Sequence, residues 1–92
     1  MRERSIEAYL RDQVRKAGGV AMKWISPGNN GVPDRIVIVP DGRIVFAELK
    51  APGKKPTQLQ LVQHERLRAL GCDVRVIDSR EGVDDLIKEL MA

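Results

Sequence analysis

The stretch "GVPDRIVIVPDGRIVFAELKAPGK", Gly31 to Lys54, decides the fold. Two short, β-branched apolar runs flank Pro40-Asp41-Gly42, which predicts a hairpin with strands Arg35–Val39 and Arg43–Lys50. Pro40 suits the first central position of a type I turn, Asp41 the second, and Gly42 the left-handed position after it. A loop of this kind pairs Val39 with Arg43. Counting outward, Ile38 meets Ile44, Ile36 meets Phe46, and Asp34 meets Glu48. Alternate residues share a face, so all of these lie on one side together with Lys50. Val37, Val45, Ala47 and Leu49 lie on the other. Both sides are apolar in the middle, so the hairpin is expected at the centre of a sheet that is covered on both faces.

The register sets two acids against each other. Directly opposed side chains have Cβ atoms roughly 4.5–5.5 Å apart. At an effective dielectric near 20, two unit charges about 5 Å apart repel by roughly 3 kcal/mol. That is a large fraction of the stability of a small domain. Replacing either acid should therefore leave the metal-free fold no less stable. A divalent cation between the carboxylates would reverse the sign, and hard oxygen ligands at this spacing suit Mg²⁺ or Mn²⁺. Lys50 points the same way, where an ammonium can position an attacking water or stabilise a phosphoryl transition state. The competing reading is a solvated strand end that happens to carry charges.

Outward from the hairpin, a helix is predicted from Ser5, as N-cap, to Ala17, stopped by Gly18-Gly19. Val20–Ile25 reads as a strand. Ser26, Gly28, Asn29 and Asn30 form a polar loop that either contacts a substrate or is a solvated connection. Thr57 caps a second helix that runs to Leu70 and ends at Gly71. Val74–Ile77 is a short strand. Ser79 opens a last helix with Val83, Leu86, Ile87, Leu90 and Met91 on one face. The order is α-β-β-β-α-β-α, an α/β chain of the α+β kind with one mixed sheet. Its third strand, second helix and fourth strand form a right-handed parallel crossover.

At 92 residues the chain is expected to be one domain, residues 1–92, with a modest core. Net charge is +3, which permits a nucleic-acid partner without requiring one. Tyr9, Trp24 and Phe46 are the only aromatics, too few for a single-strand stacking platform. Cys72 is the only cysteine, so disulfide frameworks and thiolate zinc clusters are excluded and a reducing, cytoplasmic setting is expected. No apolar run is long enough to span a membrane.

Pro33-Asp34, a strand, then Glu48-Leu49-Lys50 resembles the motif of the PD-(D/E)XK nuclease superfamily. With Gly31-Val32 before it, and Pro52-Gly53-Lys54 and Gln60 after it, the string is similar to the VRR-NUC family within that superfamily. The resemblance covers nearly the whole chain and implies a restriction-endonuclease-like core. It implies Asp34 and Glu48 as metal ligands, the Leu49 backbone carbonyl as a further ligand, and Lys50 as the catalytic lysine. It also implies Gln60 near the lysine and the scissile phosphate. An acid on the first helix, for which Glu7 is the candidate, would reach the metal directly or through water. Lys54 and Lys55 follow the catalytic strand and are the expected phosphate clamp. His64, one turn after Gln60, is read as structural.

The resulting expectation is a Mg²⁺- or Mn²⁺-dependent, structure-selective DNA endonuclease. It would resolve four-way (Holliday) junctions as a homodimer, act on branched DNA rather than a small molecule, and have no membrane partner. The outer faces of the last helix (Leu86, Leu90, Met91) or of the second helix are the expected dimer surface. The alternatives are a non-catalytic nucleic-acid-binding module, or a nuclease subunit of a larger complex acting on flaps or duplex DNA.

Overall fold

A computed structural model describes all 92 residues, Met1 to Ala92. The elements are α1 (Glu3–Lys16), β1 (Val20–Lys23), β2 (Arg35–Val39), β3 (Arg43–Leu49), α2 (Gln58–Ala69), β4 (Val74–Ile77) and α3 (Arg80–Met91). The four strands form one sheet in the order β1-β2-β3-β4, antiparallel until β4, which runs parallel to β3. The expected mixed sheet and element order are present, and the hairpin is central.

The expected register holds: Val39 faces Arg43, Ile38 faces Ile44 and Ile36 faces Phe46. The turn that sets it differs. Asp41 lies at φ 72, ψ 12, in the left-handed region, and Gly42 follows at φ 74. Asp41 thus takes the positive-φ conformation of a type II second position, which a short polar side chain tolerates. The loop still holds three residues, so the pairing outward is unchanged.

All three helices were expected to open on hydroxyl caps, and two of them do. Thr57 and Gln60 form a reciprocal capping box at α2, and Ser79 accepts the Gly82 N–H at α3. The first helix is a correction. It starts at Glu3 with Arg2 as its cap, and Ser5 lies inside it, because the Arg2 carbonyl already accepts from Ser5 and Ile6. Glu3 in the first turn suits the helix dipole.

The pleat divides the sheet into two unlike faces. Val37, Val39, Val45, Ala47 and Leu49 turn towards α1 and α3 and join Ile6, Leu10, Val14, Val83, Leu86 and Leu90 in one dry cluster. This corrects the expected dimer surface, since Leu86 and Leu90 are core residues and only Met91 of that set is exposed. The opposite face carries the rows Val20–Ile38–Ile44 and Met22–Ile36–Phe46–Val74. Only α2 covers it, and it covers part: Val20, Met22 and Ile44 remain about half exposed. The expectation of equal cover on both faces is not met. Gly31 lets α2 approach, because a Cβ there would stand 3.0 Å from the Leu59 carbonyl oxygen and its φ is +91°.

Asp41 is exposed, yet its backbone conformation makes it sensitive. Asp41→Val should cost about 1–2 kcal/mol, whereas Asp41→Asn should stay within a few tenths. Urea denaturation of the two variants checks this, with equal stabilities as the contrary result.

Candidate active site

Asp34 and Glu48 meet where the hairpin opens, and the backbone explains how. The Trp24 N–H donates to the Asp34 carbonyl at 2.9 Å. Even-numbered residues of β2 therefore aim their backbone groups at β1, and odd-numbered ones at β3. The Asp34–Glu48 rung is a non-hydrogen-bonded pair, the narrow kind in which side chains come closer. The next rung outward falls on Pro33 and Leu49. Pro33 has no N–H, so it cannot serve the Leu49 carbonyl. The Leu49 N–H donates instead to Asp34 Oδ2 at 2.9 Å. The proline thus leaves a backbone carbonyl without its ladder donor beside two carboxylates. The expectation that replacing Asp34 costs no stability is reversed, because Asp34→Ala would strand the Leu49 N–H.

Glu48 is 1% exposed. Its Oε2 accepts from Gln60 Nε2 at 3.3 Å, and its Oε1 lies 3.2 Å from His64 Nε2. Both ends of the Gln60 amide are engaged, since its Oε1 accepts the Thr57 N–H as part of the α2 cap. It ties the start of α2 to Glu48 and is the one glutamine of α2 to do so. Gln58 is exposed, and Gln63 donates to the Asn30 carbonyl. His64, which the sequence reading set aside, is fully buried and shares Glu48 with Gln60. The available signal was its spacing, because positions i and i+4 share a helix face.

Burial, then a hydrogen bond with Asp34, then the Asp34 charge push the Glu48 carboxyl up to about 8; Lys50 opposes this and Glu3 adds to it. Burial, then the charges of Arg68 and Lys50, push His64 below its ordinary range. The His64–Glu48 contact has ion-pair geometry, but both groups are driven towards their neutral forms, so it is a hydrogen bond between uncharged partners. His64 Nδ1 is buried without a partner.

Lys50 is half-buried and forms no ion pair, and its charge reaches both Glu48 and His64. Lys54 and Lys55 are exposed in the loop that follows, which is tied down by Gly53 N–H donating to Asp78 Oδ2 at 3.3 Å. Glu7 is placed differently from the others. Its Oε2 takes Arg35 Nε at 2.7 Å, on the α1 side of the sheet, while Glu48 points to the α2 side. The α1 acid whose charge bears on Glu48 is Glu3. No group of three or more His, Cys, Asp or Glu side chains forms a metal-binding cluster; two carboxylates meet here, beside the Leu49 backbone whose N–H Asp34 accepts.

No protein-family model matches the chain. It is 57% identical over 81 residues to a protein of Acyrthosiphon pisum secondary endosymbiont phage 1 described as "Putative nuclease p44", covering 88% of this chain and 87% of the relative. A solved structure of a VRR_NUC domain superposes with a TM-score of 0.87 and 38% identity over 94% of each chain.

The buried pair gives the metal-free protein a distinct pH dependence. Between its ordinary 4.5 and about 8, Glu48 holds a proton in the folded chain that the unfolded chain has released, so stability falls as pH rises. His64 acts oppositely, and only below its ordinary 6.5. From 6.5 to 8 the Glu48 slope stands alone, at roughly 1.4 kcal/mol per pH unit for one proton, or about 2 kcal/mol in all. Denaturation in EDTA should show this loss, and Glu48→Gln should remove it and be the more stable form at pH 8. A flat wild-type profile would contradict the assignment.

Proposed function

Because the chain belongs to the VRR_NUC domain family of nucleases, we propose that it is a divalent-metal-dependent endonuclease that cuts branched DNA, resolving four-way junctions as a homodimer. The observation that carries the reading is the opposed Asp34–Glu48 pair, with Glu48 buried, beside a carbonyl that Pro33 cannot serve.

The donor set fits a hard cation. Once ionised, Glu48 can accept from Gln60 through Oε2 and from His64 through Oε1, and each oxygen keeps a further lone pair. Asp34 spends Oδ2 on Leu49 and keeps Oδ1. Two carboxylates and one carbonyl suit Mg²⁺ or Mn²⁺, which retain several waters, better than zinc, which takes four protein ligands of the nitrogen or sulfur kind in structural sites. Asp34, Glu48 and the Leu49 carbonyl would hold the ion, and Glu3 at the start of α1 is better placed than Glu7 to act through water. When bound, the ion supplies an acidified water and neutralises charge on the phosphate.

The chain's own residues do the rest. Gln60 and His64 fix the Glu48 rotamer. Lys50, with no carboxylate to neutralise it, stands where it can orient the attacking water and stabilise the pentavalent phosphate. Lys54 and Lys55 bind the flanking backbone as point charges. What supports a dimer is the uncovered apolar stripe of Val20, Met22 and Ile44 and the outer residues Leu59 and Val62 of α2. A four-way junction offers two equivalent strands, and a two-fold dimer sets one site on each.

Asp34→Asn, Glu48→Gln and Lys50→Met should each lower junction cleavage at least about 100-fold. All three should stay folded. Mn²⁺ at about 100 times its dissociation constant should add roughly 2.7 kcal/mol to the wild type, a melting shift on the order of ten degrees, and should add nothing to Asp34→Asn/Glu48→Gln. Light scattering should give twice the chain mass. Full cutting by any single variant would overturn the site, and a monomer that prefers flaps would overturn the junction and dimer assignments alone.

A further inference from the structure

One row crosses the α2 face at the level of the acids. The registers place Trp24 opposite Asp34, Asp34 opposite Glu48, and Glu48 opposite Val76. Adjacent strands lie about 4.8 Å apart, so the Trp24 backbone stands one strand from Asp34 and two from Glu48. Its ring is on the same face, with its centroid 5.1 Å from that of Phe46 and tilted by 41°. Beyond Trp24 a half-open cavity of about 210 Å³ lies between the 26–32 loop and the flank of α2.

Trp24, Val32 and Leu67 form its apolar walls, and Asn29, Gln63 and Arg66 its polar rim. The rim is built. Gln63 donates to the Asn30 carbonyl at 3.1 Å, and its own oxygen accepts from Arg66 Nη1 at 3.3 Å, so one side chain fixes both the loop and the guanidinium. Arg66 pairs with no carboxylate, which leaves its remaining donors for an anion. A drug-sized ligand needs roughly 300–1,000 Å³. This cavity is smaller, and suits one planar ring with its sugar and phosphate outside.

We propose that this cavity is a nucleobase subsite. It takes one unstacked DNA base against Trp24, with Arg66 on the adjoining phosphate, while the neighbouring phosphodiester lies at Asp34 and Glu48. The proposal rests on the nuclease reading and deepens it. A base in the cavity must have left its stack, which is least costly at a branch point or strand end. The subsite therefore favours branched over continuous duplex DNA without reading sequence. The sheet register makes the coupling rigid, since the cavity wall and the acids are residues of one row.

Trp24 is the only tryptophan, so its emission reports the subsite directly. In EDTA, where strands are bound but not cut, a four-way junction should quench that emission, and a linear duplex should not. Arg66→Ala and Trp24→Leu should weaken junction binding roughly 5- to 100-fold, the range of one base–aromatic stack. On a junction with abasic sites at the branch the wild type should lose the factor that Trp24→Leu loses, and Trp24→Leu nothing more, whereas Arg66→Ala, whose phosphate is still present, should weaken binding on both junctions. Gln63→Ala, on the helix surface, tests the rim without touching the ring and should give an intermediate loss. A bound junction without quenching, or equal losses by Trp24→Leu on intact and abasic junctions, would overturn the subsite. Cleavage of the same junction by the wild type in Mn²⁺ would show that the nuclease reading had survived; failure to bind or cut any DNA would overturn both.

Discussion

Glu48 is a buried acid at which three elements meet, and the active-site face is organised around it. Asp34 arrives from β2, Gln60 and His64 from α2, and Glu48 itself from β3. Ionising this carboxyl without a compensating cation is expensive, as its displacement to about 8 records. Its neighbours do not remove that cost. They fix its orientation and leave a lone pair on each oxygen unused. α2 buries little apart from His64, so its position depends on this polar contact, its capping box and the close approach at Gly31 more than on an apolar stripe.

Pro33-Asp34 makes the arrangement possible through backbone chemistry. An ordinary residue at position 33 would complete the rung with Leu49 and close the sheet. Proline cannot donate, so the ladder ends one rung early, and Asp34 captures the freed Leu49 N–H. The dipeptide thus supplies a carboxylate, its orientation, and an adjacent unserved carbonyl. The same pleat that sends Asp34 and Glu48 to the α2 side sends Arg35 and Ala47 to the other. There Arg35 closes the core edge by pairing with Glu7 and with the Ala21 carbonyl. A slip of one residue would exchange these two sets.

Much of this was legible in the sequence because a period of two and a three-residue loop leave little freedom. Val39 facing Arg43 implies Asp34 facing Glu48 by counting, whichever turn type the loop adopts. Asp41 could take the left-handed region without disturbing that count. Thr57 and Ser79 were readable as caps because their hydroxyls precede clear helical patterns. Ser5 was not a cap, because the polar residues before it, Arg2 to Arg4, could continue the helix one turn back. His64 was read as structural, and its bond with Glu48 was not foreseen, because α2 lacks a hydrophobic stripe to mark which residues face inward. Glu7 was chosen for its place beside the buried face of α1. That place instead delivers it to Arg35, a contact that cannot be foreseen without the sheet beneath the helix.

The two faces of the sheet divide stability from chemistry. The α1–α3 face is a closed apolar cluster in which every member is buried. The α2 face holds a buried acid shifted towards neutrality, an imidazole nitrogen without a partner and half-exposed isoleucine and methionine. Each of these would be a defect in a sheet built only to fold. They are tolerable because the dry face carries the fold alone, and they are concentrated where Trp24, Asp34 and Glu48 line one row. Keeping the unsatisfied nitrogen and the shifted acid on one face leaves Asp34 and Glu48 beside the half-exposed apolar surface, on the side away from the closed core.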